Sequence, residues 1–420
     1  MDNKPNYKRT RRACYSAYFT MSSIFCVPPL LFVTFHEDYG VSYTLLGTLV
    51  LINFFTQLAI DLAFTVFSKH FNPKLLVRIM PLITSLGLFI YAIVPWVAPD
   101  MAYLGLAVGT VIFSVAAGLS EVLLSPTIAA MPSENPQRDM SLLHSLYAFG
   151  VFIMVVFSTL FLRIFGEDSW TYLMLILAAL PIISAVLFMI SPMPDMSGGG
   201  TEVRIQKSKK RTVALALCVM CIFFGSCAES SMTTWISGYM ENVLGIEKAV
   251  GDILGVATFA ILLGLARILY ARFGKSICRV LLISMIGSIV CYLAVGLSSS
   301  IAVAFIGCIL TGFTTSMLWP GTLIMMEENI PATGVATFAL MAAGGDLGAS
   351  VSPQLVGIVI DGVAASELAV KIGELTGMTP DQIGLRSGML ISAIFPIIGC
   401  LVVIIITRFF KKNRDALTVK

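Results

Sequence analysis

Charged residues are scarce in this chain. Asp, Glu, Lys and Arg make up 12% of its 420 residues, whereas 57% are hydrophobic, and the mean hydropathy is +0.90. A water-soluble protein of this length needs more polar surface than this to cover its outside. The composition therefore excludes a soluble fold and predicts a protein that lies in a membrane.

Motifs for nucleotide, metal and protease chemistry are missing as well. No Walker A sequence occurs, so ATP-driven pumping is not expected. His36-Glu37 lacks the second histidine of HExxH, and Ala343 stands before Gly345-Asp346 where an intramembrane aspartyl protease has glycine. Cys218 and Cys221 form a CxxC pair in an apolar segment with no second pair to complete a metal site. We expect no enzyme, no cofactor and no bound metal.

The sequence contains instead a series of apolar runs that are each about 20 residues long. A helix of that length crosses the hydrocarbon core of a bilayer. Because lipid offers no hydrogen-bond partners, a single apolar segment can pair its backbone N–H and C=O groups there only as a helix. We predict twelve spans, at about 13–35, 42–67, 75–96, 101–128, 141–165, 170–190, 213–238, 250–272, 277–296, 301–326, 333–360 and 386–409. The fold class is therefore an all-α membrane protein.

Lysine and arginine concentrate on one side of the predicted spans. If the N-terminus lies inside, all but four of the 27 Lys and Arg fall in cytoplasmic segments; the four are Arg163, Lys248, Lys371 and Arg386. Cytoplasmic loops carry this excess of positive charge in membrane proteins. We predict a multi-pass protein of the cell (plasma or inner) membrane with both termini in the cytoplasm. The net charge of +3 then reflects topology, and no nucleic-acid partner is expected.

Two segments of the chain repeat each other. Residues 118–126 read GLSEVLLSP and residues 312–320 read GFTTSMLWP, an offset of 194 positions that continues without a gap to Gly150 and Gly344. Both copies lie inside apolar runs. An internal duplication of this kind is typical of transporters built from two related halves around a central site.

A polar, basic stretch at 191–212 separates the spans into two groups of six. It contains a Ser-Gly-Gly-Gly run followed by several Lys and Arg, which is the composition of a flexible cytoplasmic linker. We predict an N-terminal six-helix bundle at 1–190 and a C-terminal six-helix bundle at 213–420, related by pseudo-symmetry.

Acidic residues inside the membrane are the leading functional candidates. An ion at the centre of a span costs at least roughly 2.5–3.5 kcal/mol, so each acid needs water, a partner or a proton. We place four in the spans: Asp61, Glu121, Glu229 and Asp346. Arg267 and His144 are too few to neutralise them, so some acids hold a proton part of the time, as a proton-coupled carrier requires. The alternative is that protonated acids bond neighbouring helices for packing, which applies most to Asp61 and Asp346.

Polar side chains near these acids are candidate ligands for a solute. Ser125 follows Glu121 by four residues and shares its helix face, while His144 and Tyr147 are three apart and share another. On neighbouring spans they would line one cavity. Hydrogen bonding between helices is the alternative explanation for His144 and Tyr147.

Two tryptophans are placed at mid-span depth, Trp235 and Trp319. A ring at that depth stacks on the apolar face of a sugar or fills a gap in the packing, and the sequence leaves both roles open.

A cluster of cations is placed at the cytoplasmic end of the eighth span. It consists of Arg267, Arg272 and Lys275. We predict that these residues gate the carrier by closing the gap between the bundles, although plain topology signalling explains the cluster as well.

Three segments resemble a known family. Twelve spans in two halves are similar to the major facilitator superfamily, and within it to the fucose permease group of sugar–proton symporters. The likeness is carried by residues 118–121 (GLSE) with Pro126, by residues 142–150 (LLHSLYAFG), and by residues 228–229 (AE) with Trp235.

That resemblance implies a proton-coupled symporter of a sugar or similar polar solute. Glu121 would carry the proton, and Glu229, His144 and Tyr147 would lie in or beside the substrate site. Two alternatives remain: a multidrug or organic-solute/proton antiporter that uses the same acids, and a non-transporting membrane receptor with the same fold. We expect a monomer whose partners are the solute, protons and the lipid bilayer.

Overall fold

The computed structural model describes residues 6–67, 71–134, 136–194, 209–274, 276–330 and 335–418. Within these ranges the chain forms helices and short connections, and no strand occurs in them. The α-helices are, in chain order, α1 (Lys8–Leu30), α2 (Phe32–Tyr39), α3 (Tyr43–Phe67), α4 (Pro73–Val97), α5 (Ala102–Ala129), α6 (Pro136–Phe165), α7 (Trp170–Met189), α8 (Lys209–Asn242), α9 (Lys248–Gly251), α10 (Thr258–Phe273), α11 (Ile277–Leu297), α12 (Ile301–Thr315), α13 (Leu318–Asn329), α14 (Val335–Ala364), α15 (Glu367–Thr376), α16 (Pro380–Ile391) and α17 (Ile394–Thr418).

The helices match the expected set of membrane spans. Within the described ranges, ten helical stretches are long and apolar enough to cross a membrane, and the bent pair α1/α2 raises the number to eleven. The shorter apolar stretch Phe149–Phe165 of α6 lies where the fifth span is predicted. The all-α, twelve-span fold class predicted from the sequence is therefore confirmed.

The first and tenth spans are each interrupted beside a proline. The axes of α1 and α2 differ by 48°, immediately after Pro28 and Pro29 inside α1. Proline removes a backbone donor and clashes with the preceding turn, so it bends a helix. The tenth span is interrupted between α12 and α13, with Pro320 one turn after Ser316, where α12 has just ended.

The chain separates into two compact units. Unit 1 comprises residues 1–41 and 52–200, and unit 2 comprises residues 42–51 and 201–420. The chain passes from unit 2 back to unit 1 within α3, between Leu51 and Ile52. We keep these two names below and describe each unit by itself.

Glycines at the 194-residue offset make the same kind of contact in both units. Gly118 seats α5 against α3 in unit 1, and Gly312 seats α12 against α10 in unit 2. Gly150 seats α6 against α1, and Gly344 seats α14 against α8. A methyl group added at any of the four would lie 2.4 to 2.9 Å from the nearest heavy atom of the neighbouring helix. Small residues permit this close approach of helices in lipid, so the repeat extends from sequence to packing.

Candidate functional site

A column of polar side chains follows one face of α3 in unit 1. Asn53, Gln57 and Asp61 are spaced four residues apart and therefore share that face. The Gln57 amide donates to Asn53 Oδ1 at 2.9 Å, and Ser114 Oγ of α5 donates to the same oxygen at 2.7 Å. Asn53 and Ser114 are both buried. This network joins α3 to α5 through buried hydrogen bonds.

The column ends at a pair of carboxylates. A carboxylate oxygen of Asp61 lies within 4.8 Å of one of Glu121 on α5. Gly118, one turn before Glu121, allows this approach, because a side chain there would meet Ile60 of α3 at 2.9 Å. Two negative charges at such a distance repel each other strongly where water is sparse. The pair is therefore suited to hold a proton and to exchange it.

Other groups surround Glu121. Tyr18 of α1 is 8% exposed and interacts electrostatically with Glu121. Glu121 itself is exposed, and Ser125, one turn further along α5, is partly exposed. The two residues thus form an accessible polar face on a largely apolar helix.

Two candidates from the sequence fall outside the described side chains. The backbone of His144 and Tyr147 belongs to α6, but their side chains are outside the described part of the chain. Their place in a substrate cavity stays a prediction.

In unit 2 an arginine occupies the break in the tenth span. Arg267 lies in α10, six residues before its end at Phe273. Its Nε–H donates to the backbone carbonyl of Ser316 at 3.1 Å. The guanidinium is thereby tied to the junction of α12 and α13.

Glu229 is an acid of unit 2 that interacts with this arginine through its charge. It lies on α8 and is partly exposed, and Arg267 acts on it electrostatically. Among the described residues, no hydrogen bond or ion pair engages the Glu229 carboxylate. Unit 2 therefore presents an arginine and a carboxylate that attract each other without forming a direct ion pair.

The two tryptophans have different surroundings. Trp235 is 2% exposed and meets Tyr43 edge-on, with ring centroids 5.9 Å apart. A ring so buried offers no face to a solute in this structure, so its stacking role stays a prediction. Trp319, in the first turn of α13, is partly exposed and covers Gly345, where a methyl group would lie 2.3 Å from the ring.

The remaining predicted residues of unit 2 are one acid and two cations. Asp346 is 8% exposed on α14, next to Gly345. Arg272 is exposed in the last turn of α10, with its guanidinium 5.5 Å from the ring centroid of Phe273. Lys275 lies outside the described residues. The gating role of Arg267 and Arg272 stays a prediction.

Sequence reasoning missed a fifth acid within the spans. Asp252 is 1% exposed and accepts a hydrogen bond from Ser237 Oγ at 2.5 Å. It begins a six-residue π-helical turn, Asp252–Ala257, in the eighth span. Nearby, the ammonium group of Lys248 pairs with Glu241 at 3.2 Å. The position of Asp252 near the start of the predicted span 250–272 was the available signal.

The Asn53–Gln57–Ser114 network was missed too. Its sequence signal was the four-residue spacing of amides and an acid along α3, which is unusual in so apolar a span. The partner Ser114 carried no such signal, because a lone serine is ordinary in a membrane helix.

Comparisons with known proteins agree with this architecture. The family model described as "Major Facilitator Superfamily" matches residues 13–353. No curated protein matches the sequence at a significant level.

Three solved structures with a similar fold, all of transporters, illustrate the likeness. A bacterial homolog of the human lysosomal transporter Spinster has a TM-score of 0.76 at 13% identity, covering 99% of each chain. A D-xylose–proton symporter has a TM-score of 0.71 at 13% identity, covering 92% of this chain and 96% of its own. The nucleoside transporter NupG has a TM-score of 0.65 at 15% identity, covering 95% of this chain and 98% of its own. Because the family model matches well over half of the sequence, this chain belongs to the Major Facilitator Superfamily.

Proposed function

We propose that the protein is a secondary active transporter that couples the movement of protons to the symport of a sugar or a similar polar solute by alternating access. Family membership supports transport of a small solute. The observation that carries proton coupling is the close pair of Asp61 and Glu121 in unit 1.

The pair has the chemistry that coupling needs. With two protons it is neutral, with one it carries a single negative charge, and with none it is strongly unfavourable in a membrane. Glu121 is exposed and accessible to both solute and proton, whereas Asp61 adjoins the buried amides of α3. We assign Glu121 as the proton carrier. The role we assign to Asp61 is to influence, through its own negative charge, whether Glu121 is protonated.

The charged groups of unit 2 favour a polar solute that is not a cation. Arg267 and Glu229, which interact through their charges, supply donors and an acceptor, and this combination suits hydroxyl groups. The positive charge of Arg267 offsets the attraction that Glu229 would have for an organic cation, so this arrangement favours symport of a hydroxylated solute over a multidrug antiporter. The similar fold of a D-xylose–proton symporter is in keeping with this choice but shows the fold alone.

Several assignments belong to the same proposal. Solute contacts are assigned to Ser125, His144, Tyr147, Glu229 and Trp319. The finer placement in the fucose permease group, the location in the cell membrane with both termini cytoplasmic, the monomeric state, and the division at 1–190, 191–212 and 213–420 are proposed with it.

Uptake into proteoliposomes tests the function. The purified full-length protein is reconstituted and offered a panel of labelled sugars that includes D-xylose, with and without an imposed pH gradient. Symport predicts counterflow without a gradient and accumulation only with an inwardly directed proton gradient. Extrusion of a cationic dye driven by the same gradient would indicate antiport instead. Absence of any counterflow or dye movement would favour the non-transporting receptor.

A further inference from the structure

A single proline opens a hydrogen-bonding position in the tenth span. In an α-helix the carbonyl of residue 316 accepts from the amide of residue 320, but Pro320 has no N–H to donate. The helix resumes at once, since the Gly321 amide donates to the Met317 carbonyl at 2.8 Å. Pro320 therefore removes the i→i−4 donor of one carbonyl, that of Ser316.

Arg267 occupies the position that Pro320 opens. Its Nε–H donates to the Ser316 carbonyl at 3.1 Å. A guanidinium has five N–H groups, and no other hydrogen bond of Arg267 occurs among the described residues. The contact at Nε restrains the group and leaves its two terminal nitrogens available to other acceptors, and the charge of Arg267 also acts on Glu229.

The matching proline in unit 1 has no such partner. Pro126 lies 194 residues before Pro320. Because Pro126 has no N–H, it cannot donate to the carbonyl of Val122, four residues earlier. There α5 continues as one helix from Ala102 to Ala129, and no arginine donates to Val122 among the described residues. A proline in a repeated span is thus insufficient by itself to bring in an arginine.

We propose that Pro320 is a positioning residue: it leaves the Ser316 carbonyl free to hold Arg267, which then presents its terminal N–H groups together with Glu229 to a neutral, hydroxyl-rich solute. The inference rests on the proposed function and names the solute class for unit 2. Arg267 donates to solute oxygens and Glu229 accepts from solute hydroxyls. Both groups are specificity-determining in this scheme, and Pro320 acts only through Arg267.

Chemical labelling tests the positioning without any transport. The reconstituted full-length protein is treated with phenylglyoxal, and modification of Arg267 is followed by mass spectrometry. Pro320→Ala restores an amide that competes for the Ser316 carbonyl, so we expect Arg267 to react about fivefold faster once its hydrogen bond is lost. Pro126→Ala is the matched control and should leave the rate unchanged. Equal rates in the parent and Pro320→Ala, or equal acceleration by Pro126→Ala, would overturn the positioning role.

Counterflow of labelled D-xylose tests the role in solute binding. Arg267→Gln should raise the apparent KM about tenfold and Pro320→Ala about fivefold, with little change in maximum rate. If Pro320 acts through Arg267, the double variant should be no worse than Arg267→Gln alone. Additive effects would contradict the inference. If the parent carries no sugar of the panel, the proposed function fails, while the labelling rates still decide the positioning of Arg267.

Discussion

The fourth span, α5, and the tenth span, α12/α13, share a sequence pattern and differ in what they do. Both have a glycine that seats the span on its neighbour and a proline eight residues later. In α5 the helix is continuous and carries Glu121. At the matching place in unit 2, Thr315 is fully buried and its hydroxyl donates to the Thr311 carbonyl of its own helix.

The charges of unit 2 come from other helices. Arg267 reaches the break from α10, and Glu229 lies on α8. The comparison teaches that the repeat preserves helix contacts, which need small residues at fixed places, while the ionisable groups are placed independently in each unit. Four predictions test this difference, in order of decreasing effect.

Glu121→Gln should abolish coupling. With an imposed gradient of one pH unit, a carrier that moves one proton with each solute concentrates that solute up to about tenfold. Glutamine mimics the protonated acid, so the variant should keep counterflow while its accumulation ratio falls to about one. Thr315→Val removes the polar group at the matching place in the other unit and should leave the ratio near that of the parent. Accumulation by Glu121→Gln at the parent level would make Glu121 a structural acid.

Glu229→Gln should weaken solute binding but leave the coupling of solute transport to proton transport intact. We expect the apparent KM to rise about tenfold in counterflow and in gradient-driven uptake alike, because a hydrogen bond to a charged acceptor is lost in both. The ratio of the two activities is the readout that distinguishes this variant from Glu121→Gln. A selective loss of gradient-driven uptake would transfer the coupling role to Glu229.

Gly118→Ala and Gly312→Ala should destabilise the protein to a similar extent. Each added methyl group overlaps the neighbouring helix, and overpacking of this kind costs about 1–3 kcal/mol. Thermal unfolding of the purified protein in detergent measures the loss. Gly264→Ala, in α10 with nothing within 4 Å of the added methyl group, is the control and should be neutral or slightly stabilising. A clear difference between the two glycines would show that the repeated contact is not equivalent in the two units.

Ser114→Cys should have the smallest effect, because it gives unit 1 the residue that unit 2 has at the matching position, Cys308. A thiol is a weak donor, so the bond to Asn53 Oδ1 loses part of a typical net contribution of about 1 kcal/mol. Unfolding should shift slightly, and the accumulation ratio should fall less than twofold. Ser120→Ala removes a hydroxyl that bonds mainly within its own helix, to the Ala116 carbonyl, and serves as the control. If Ser114→Cys shifted unfolding and the accumulation ratio no more than Ser120→Ala does, the link between α3 and α5 would have no measurable role.

The pattern of spans was readable from the sequence because the bilayer sets their length. Apolar runs predicted the helices, and the 194-residue offset predicted two related halves. The bend after Pro28-Pro29 also has a local cause, since proline removes its own donor. Helix ends were less accurate: the predicted span at 301–326 is two helices in the structure, and the one at 250–272 begins with a π-helical turn.

The sequence by itself determined the spans and the duplication. It also determined that Glu121 and Glu229 lie at depths in the membrane where an ionised acid is unfavourable without water, a partner or a proton. The tertiary structure alone placed Asp61 next to Glu121, joined Asn53 to Ser114, and brought Arg267 to the carbonyl freed by Pro320. The physical reason is the solvent. In lipid most of these helices are apolar on nearly every face, so hydrophobic periodicity seldom marks the face that meets a neighbour. Close packing and interhelical hydrogen bonds select the partners instead.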